Sequence, residues 1–575
     1  MLSTKEMVYP EGISNEDVER LSQEGINPWV AHALALRGVK EPKIATGKYP
    51  LQPYTKLKNI NVIAEKLADI ILSQEKIVIV ADYDCDGATA CAVGLLGLRR
   101  LGANIDFIVP NRFKNGYGLT PGVVDEVIER FSPKFILTVD NGIASHEGVE
   151  YANSKGLKVL VTDHHLPASN KPLPSAEVLV NPNQPGDTSG LGNMAGCGVI
   201  YYVVAATRDA LKRRNYFTDD NPSPNMAEWL DIVAIGTVAD VVKLDENNRW
   251  LVRHGLMRIK NDLTRPGIRA LFSVANKRIE NATSQDFGFA VGPRINAAGR
   301  LKDMTIGIRC LIAENDEEAL QYAKMLDDLN KERKDIGKDM ESFAWDVIEL
   351  EGQDDKMTRV VHGEDFHEGV IGIVAGKIKE NTNRPTIVFA NADHPGYIKG
   401  SGRSVPGLHL RDALDLVYKE HPEIFAGFGG HAMAAGLTID ASRLDDFKRG
   451  FEKAVDFLMD STPFEKVLEI DAHLPTSYIN VETTLAIQNE VWGQGFQDPR
   501  WIGTFKVLET RLLGKDQNHL KMLLEKDGQQ FDAIQFFNEK EPKINDVIDI
   551  AYKLGINDFR GINVQLMVEE KEERE

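Results

Sequence analysis

Between residues 61 and 200 the chain repeats one rhythm: a short apolar run, a polar break, then a longer stretch with apolar residues at helical spacing. The runs are KIVIVA (Lys76–Ala81), IDFIVP (Ile105–Pro110), KFILTV (Lys134–Val139), KVLVT (Lys158–Thr162) and EVLV (Glu177–Val180). Ile77 to Ala81 is unbroken and mostly β-branched, which predicts a strand buried on both faces, as in a parallel sheet. After Gly87 the spacing turns helical through about Leu98. Strands alternating with helices in this way predict βαβ units, so the expected class is α/β with a mostly parallel sheet.

The pattern changes along the rest of the chain. Residues 1–60 read as an N-terminal extension around the helical stretch NPWVAHALALRG, and 61–315 as one α/β domain whose second half is mainly helical. Residues 316–352 read as one long charged helix connecting domains, its charges a solvated face. A second α/β unit follows over 353–462, rich in glycine at HEGVIGIVAGK, GSGRS and GFGGHAMAAG. Short alternating runs such as HLKMLLE and FDAIQFF predict a small β barrel over 463–575. The final EEKEERE reads as disordered.

Composition narrows the class without naming a function. A formal charge of −19 argues against a surface that binds nucleic acid indiscriminately, although a local basic groove remains compatible with it. No apolar run reaches the roughly 18 residues of a membrane span, and the N-terminal MLSTKEMVYPEGIS lacks the features of a signal peptide. A cytoplasmic protein without a membrane segment is expected. Cys85, Cys91, Cys197 and Cys310 form no C-x-x-C pair, so neither a disulfide framework nor a zinc knuckle is indicated. They are expected to pack as small buried hydrophobes in a reducing compartment.

The chemistry lies where the apolar runs stop. The first runs into Asp82, Asp84 and Asp86, the third into Asp140, and the fourth into Asp163, His164 and His165. In an open α/β sheet ligands bind at the carboxyl ends of the strands, so these groups should converge on one rim. Asp240, which ends the apolar run IVAIGTVAD, is a candidate to join them. Carboxylate oxygens with one or two imidazoles suit Mn²⁺ or Mg²⁺, and the lack of thiolate ligands disfavours zinc. So many acids exceed the needs of one ion, whereas two ions about 3.5–4 Å apart, bridged by a shared carboxylate, would use them all. Phosphoester hydrolysis is the chemistry such a pair performs.

At this point the motifs carry a resemblance. ADYDCDG, TVDNG, TDHH and VADVV, in this order and spacing, resemble the DHH phosphoesterase superfamily, and GGHAMAAG resembles the signature of the DHH-associated domain. With PNRFKNGYGL, GPRINAAGRL, HEGVIGIVAGK and the C-terminal barrel, residues 50 to 570 resemble the bacterial single-strand-specific exonucleases of that superfamily. The resemblance implies a DHH domain, a connecting helix, a DHH-associated domain and an OB-fold-like barrel. It also implies 5′→3′ degradation of single-stranded DNA with Mg²⁺ or Mn²⁺, in recombination and repair.

Carried onto this sequence, the metal positions are Asp82, Asp84, Asp86, Asp140, His164 and Asp240, with Asp140 as the bridge. His165 matches the group at the scissile phosphate, and Asp163 is expected to orient a histidine. Arg112, Ser401 and Arg403 match positions holding the terminal 5′ phosphate, while Arg294 and Arg300 are expected on the strand backbone. For these arginines a structural ion pair is the competing reading. His431 sits among glycines that let backbone amides approach a phosphate. In the barrel, Phe505, Phe536 and Phe537 are candidates for stacking on bases. VWGQGFQDPRW (Val491–Trp501) departs from the family's usual Pro-Phe-Gly and Gly-Asn-Pro spellings, in a loop leading to the barrel. The implied partners are single-stranded DNA, a single-strand-binding protein and a helicase. Two rival readings keep the chain but change its role: a DHH-type phosphodiesterase for short oligonucleotides or cyclic dinucleotides, and a catalytically dead DNA-binding scaffold.

Overall fold

The computed structural model describes residues 6–8, 14–111, 116–168, 171–460, 462, 464, 467–514, 517–538, 540–557 and 561–573. The chain divides into two compact units, Val8–Asp327 with Glu469–Glu575, and one built on Asp328–Leu468. The division falls inside a single helix of 35 residues, Asp316–Leu350. No helix among the described residues is long and apolar enough to cross a membrane.

The larger unit is organised on a five-stranded sheet. Its strands are Ile77–Ala81, Ile105–Ile108, Phe135–Val139, Lys158–Thr162 and Val178–Val180, all paired in parallel. These are the five strands expected from the apolar runs. Their spatial order places the second strand outside the first, and the third, fourth and fifth on its other side. The order reverses between the first and third strands, and that switch point is where ligands bind in doubly wound sheets. Helix Cys85–Arg100 leaves the first strand and is buried on nearly all sides. It can lie close to its neighbours because Gly94 faces Ile79 and Ile200, and Gly97 faces Val204, where a Cβ would crowd them. All four cysteines are buried and free.

The apolar run before Asp240 is the helix Leu230–Ala239, buried around most of its circumference. A short run that is apolar on every side fits a buried helix as well as a buried strand. Asp240 is the residue that caps its C-terminal end.

The barrel belongs to this same unit. Strands Trp501–Leu513, His519–Lys526, Gln529–Phe536, Asn563–Glu573 and Val547–Asn557 form a sheet that closes when the last pairs with the first. Closure of five strands gives an OB-like barrel and removes both sheet edges. The loop leading into it is bolted to helix Glu246–Lys260 of the larger unit. Glu490 binds Arg249 at 3.2 Å and Arg253 at 2.6 Å, and Arg249 lies 3.8 Å over the Phe496 ring. The N-terminal region is equally integral. Asp471 takes Arg37 at 2.5 Å, Trp29 meets Trp501 edge-on at 5.7 Å, and the Tyr202 hydroxyl donates to the Gln52 carbonyl at 2.6 Å.

Two sequence expectations change here. Residues 569–573 of EEKEERE continue the last strand, where Glu569 binds Arg500 at 2.5 Å and Lys553 at 3.0 Å. Strand pairing and two cations hold a segment that charge alone would leave in water. Phe505 is core: it is 1% exposed and packs edge-on against Phe531 and Tyr552. Phe536 and Phe537 are exposed.

The smaller unit carries a mixed sheet in the order Phe425–Gly430, Ala434–Asp440, Tyr397–Arg403, Thr386–Asn391, Arg359–His362. Only the last pair is parallel. Helices Leu410–Glu420 and Leu444–Leu458 build a core with one face of it, and helix Ile371–Thr382 packs on the strands Thr386–Asn391 and Tyr397–Arg403.

Candidate metal centre and substrate-binding residues

The first acid after each of three strands is held by the backbone hydrogen bonds of the sheet, continued one residue beyond it. Asp82 N donates to Val139 O at 3.4 Å, Asp140 N to Thr162 O at 3.1 Å, and Asp163 N to Val180 O at 3.2 Å. Asp140 has φ 60°, a left-handed conformation that Asp tolerates better than most residues. Asp84 caps helix Cys85–Arg100 by accepting from Gly87 N at 2.9 Å. Asp86 accepts from Gly196 N at 2.6 Å and Cys197 N at 3.0 Å, so it is oriented by the start of helix Gly196–Arg213.

These side chains converge. Asp82, Asp84 and Asp140 form one group with ligand atoms within 4.8 Å of one another; Asp86, His164 and Asp240 form a second; Asp140, His164 and His165 form a third. His164 Nε2 lies 3.1 Å from Asp140 Oδ1, 3.5 Å from Asp240 Oδ2 and 3.8 Å from Asp86 Oδ2. Yet Asp140 Oδ1, His164 Nε2 and Asp240 Oδ2 are buried without a hydrogen-bond partner. Buried polar atoms left unpaired are costly, and here three of them point at one another. A divalent cation completes that arrangement. Asp140 belongs to the first and third groups, and its Oδ1 lies 3.1 Å from His164 of the second.

Electrostatics agree with the geometry. Burial, then the charge of Asp84, pushes the Asp82 carboxyl up to about 8. Burial and neighbouring carboxylates raise Asp84, and they drive Asp140 and Asp240 well above the usual range. Burial lowers His164, which favours the neutral imidazole that binds metals.

Asp163 behaves differently. It accepts from His165 Nδ1 at 2.8 Å, His164 N at 2.7 Å, His165 N at 3.0 Å and Ile143 N at 2.9 Å. Burial raises its carboxyl, but the His165 hydrogen bond and charge outweigh that and hold it below the ordinary value. In return, although burial works against a charged ring, the Asp163 hydrogen bond carries His165 up to about 9. Asp163 thus fixes the position and the proton of His165, as expected of an orienting group.

Sequence reasoning missed several supports. Asn181 donates to His165 O at 2.9 Å and Asn183 to His164 O at 2.6 Å, bracing the histidine pair from the end of the fifth strand. The rim argument applied to VLVNPN would have found them. Asn296, inside GPRINAAGRL, accepts from Cys85 N at 2.9 Å and so holds the acidic turn.

The remaining candidates separate. Arg294 donates to Asp327 at 2.9 and 2.8 Å and to Ala290 O at 2.7 Å, so its guanidinium is committed to an ion pair. Arg300 lies partly exposed on the same helix, Gly292–Leu301. Arg112 lies outside the described residues. In the smaller unit, Arg403 donates to Ser401 Oγ at 3.1 Å and Gly402 O at 2.8 Å. Burial lowers its pKa, and among the described residues no carboxylate pairs with it. Gly372 opens this corner, since a Cβ there would lie 2.8 Å from an Arg403 nitrogen and 2.9 Å from Ser401 Oγ. His431 is exposed at the turn of the adjacent hairpin, where Ala434 pairs with Arg403.

A doubly wound sheet bearing this carboxylate and histidine set defines a metal-dependent phosphoesterase of the DHH type. Residues 76–237 match the model of the DHH family, N-terminal domain, and 354–456 that of the DHHA1 domain. Residues 470–570 match the RecJ OB domain. Among relatives, the single-stranded-DNA-specific exonuclease RecJ of Haemophilus influenzae is 42% identical, over 91% of this chain and 92% of its own length. That of Escherichia coli is 41% identical over 93% and 94%. The chain belongs to the RecJ family. Its fold matches the crystal structure of Thermus thermophilus RecJ in complex with Mn²⁺, with TM-score 0.80 and 25% identity, covering 99% of this chain and 79% of that one.

Proposed function

We propose that the protein is a single-strand-specific DNA exonuclease that hydrolyses phosphodiester bonds from the 5′ end, with two Mn²⁺ or Mg²⁺ ions, in recombination and repair. The observation that carries this reading is the convergence of three buried, unpartnered ligand atoms on Asp140, His164 and Asp240. Asp82, Asp84 and Asp140 would hold one ion, and Asp86, His164 and Asp240 the other, with Asp140, 3.1 Å from His164, as the bridge between them. Bound there, the ions supply Lewis acidity toward the phosphoryl oxygens and offset developing charge. His165, held protonated by Asp163, presents positive charge to the scissile phosphate. The closed barrel, built into the catalytic unit, favours a long strand over a dinucleotide as substrate. A cytoplasmic location and work beside a single-strand-binding protein and a helicase complete the reading.

The direct test uses single-stranded DNA labelled at either end, with Mn²⁺ and with an EDTA control. A 5′ label should appear at once as mononucleotide, while a 3′ label should persist on shrinking strands, and chelation should stop both. Cleavage confined to dinucleotides would replace the substrate; binding without cleavage would leave a scaffold.

End recognition is assigned to Arg403 and Ser401. A half-buried guanidinium that no carboxylate pairs with among the described residues suits the dianionic terminal phosphate, through charge-assisted hydrogen bonds. Removing one such partner typically costs about 1.5–3 kcal/mol, roughly tenfold or more in affinity. Arg403→Ala should therefore lose about tenfold in kcat/KM on 5′-phosphorylated strands and little on 5′-hydroxyl strands. An unchanged ratio between the two termini would remove Arg403 from end recognition.

A further inference from the structure

The segment before GPRINAAGRL contains a π-helical turn, Phe287–Val291. Such turns cost regular hydrogen bonding and are found often at functional sites. Within it Phe287, Ala290 and Val291 are buried, while Phe289 is 84% exposed. The turn is clamped against the metal-bearing elements on two sides. At Gly288 a Cβ would meet Val238, and at Gly292 one would meet Ala239, the last two residues of the helix before Asp240. The helix that follows holds the acidic turn through Asn296 and abuts the Tyr83 carbonyl at Gly299. Phe289 thus stands out into water from a turn packed against the helix that ends at Asp240.

It is not isolated in kind. Val241 directly follows Asp240; it is 62% exposed and has φ 61°, a conformation that costs a β-branched residue strain. Leu166 directly follows His165 and is 63% exposed. Apolar side chains therefore stand outward immediately beyond two of the ligand-bearing motifs, where polar residues would be cheaper in water. The surface of the centre offers apolar contact as well as charge.

We infer that Phe289 is a base-stacking platform: it receives a nucleobase of the single strand whose phosphate lies at the metal centre, and so helps hold that strand in the site. This rests on the nucleic-acid reading above and deepens it. Every base has a π-face, so stacking accommodates any sequence, whereas paired and stacked bases of a duplex cannot offer one to the ring. Phe289 is a strand-binding residue, with no part in proton transfer or metal binding.

The test compares wild type, Phe289→Ala and Phe289→Trp. Each is assayed for kcat and KM on a single-stranded oligonucleotide and on the same strand made abasic over its first several 5′ positions. Binding of both strands is followed by fluorescence anisotropy without turnover, in EDTA. Loss of one base stack should raise KM for Phe289→Ala about tenfold, with kcat nearly unchanged. Phe289→Trp should keep wild-type KM. On the abasic strand wild type and Phe289→Ala should coincide, an outcome that a general structural defect would not give. Equal KM values on the normal strand, or an undiminished difference on the abasic strand, overturn the platform while the exonuclease reading stands. If wild type neither binds nor degrades single strands, the functional reading has failed, and the platform with it.

Discussion

Asp140→Ala is expected to abolish hydrolysis, by about a thousandfold or more, because a metal centre contributes several kcal/mol and about 4 kcal/mol corresponds to that factor. Asp140 belongs to one ligand group and its Oδ1 lies 3.1 Å from His164 of the other, so as a bridge its loss should weaken both ion positions at once. The fold should survive. In the metal-free protein Asp140 faces Asp86, Asp84 and Asp82, and all but complete burial leaves their repulsion unscreened. Carboxyls whose folded pKa is raised stabilise the folded state only while protonated, so their contribution is present at low pH and is lost as pH rises. For Asp82 the window runs from 3.8 to about 8. Removing one acid should therefore hold the metal-free melting temperature steady or raise it at pH 8, with the difference shrinking toward pH 4. Melting scans in EDTA at both pH values, beside a rate assay in Mn²⁺, separate the two effects. A variant keeping more than a tenth of wild-type rate would count against a bridging role.

How much of this was legible in the sequence follows from the kind of physics each feature obeys. The five strands were readable because two-sided burial demands unbroken apolar runs, and the metal rim because a parallel sheet places every strand's carboxyl end on one side. Asp163 was read as a group orienting a histidine, and in the structure it accepts four hydrogen bonds, from the histidine pair and Ile143.

What failed to show depended on partners far along the chain. Arg294 finds Asp327, Phe505 finds Tyr552, and Glu569 finds Arg500 and Lys553, and none of these pairings leaves a local periodicity. The same holds for residues 14–56, whose short polar segments concealed a brace between the catalytic helices and the barrel. That brace has a consequence for dissection. Because the barrel and the catalytic sheet share one compact unit, shortening the chain near residue 460 would remove Glu490, Trp492 and Phe496 and leave their partners Arg249, Arg253 and Ser284 uncovered.

Gly196→Ala should cost about a hundredfold in rate without touching any ligand, the order expected when reacting groups are misplaced by about 1 Å. Gly196 opens helix Gly196–Arg213, and its N–H donates to Asp86 at 2.6 Å. A Cβ there would lie 2.6 Å from Asp140 Oδ1, 2.7 Å from its Cβ and 2.8 Å from its Cγ. Rotating the carboxylate alone cannot relieve contacts with all three atoms, so Asp140 must move as a whole. The backbone itself accepts alanine, since Gly196 is not among the glycines of positive φ, and alanine favours a helix over glycine by about 0.5–1 kcal/mol. Stability and activity should therefore part company: the metal-free melting temperature should stay near wild type while Mn²⁺ affinity falls about 10–100-fold, the range seen when groups supporting a metal site are disturbed. Calorimetric titration with Mn²⁺ reads the affinity directly. A double-mutant cycle identifies the route of the effect. If Gly196→Ala acts through Asp140, it should do almost nothing further in the Asp140→Ala background, in Mn²⁺ binding as in rate. An additive loss of Mn²⁺ affinity there would mean that the alanine disturbs Asp86 and the helix start instead, and the bridge would have to be argued from Asp140 alone.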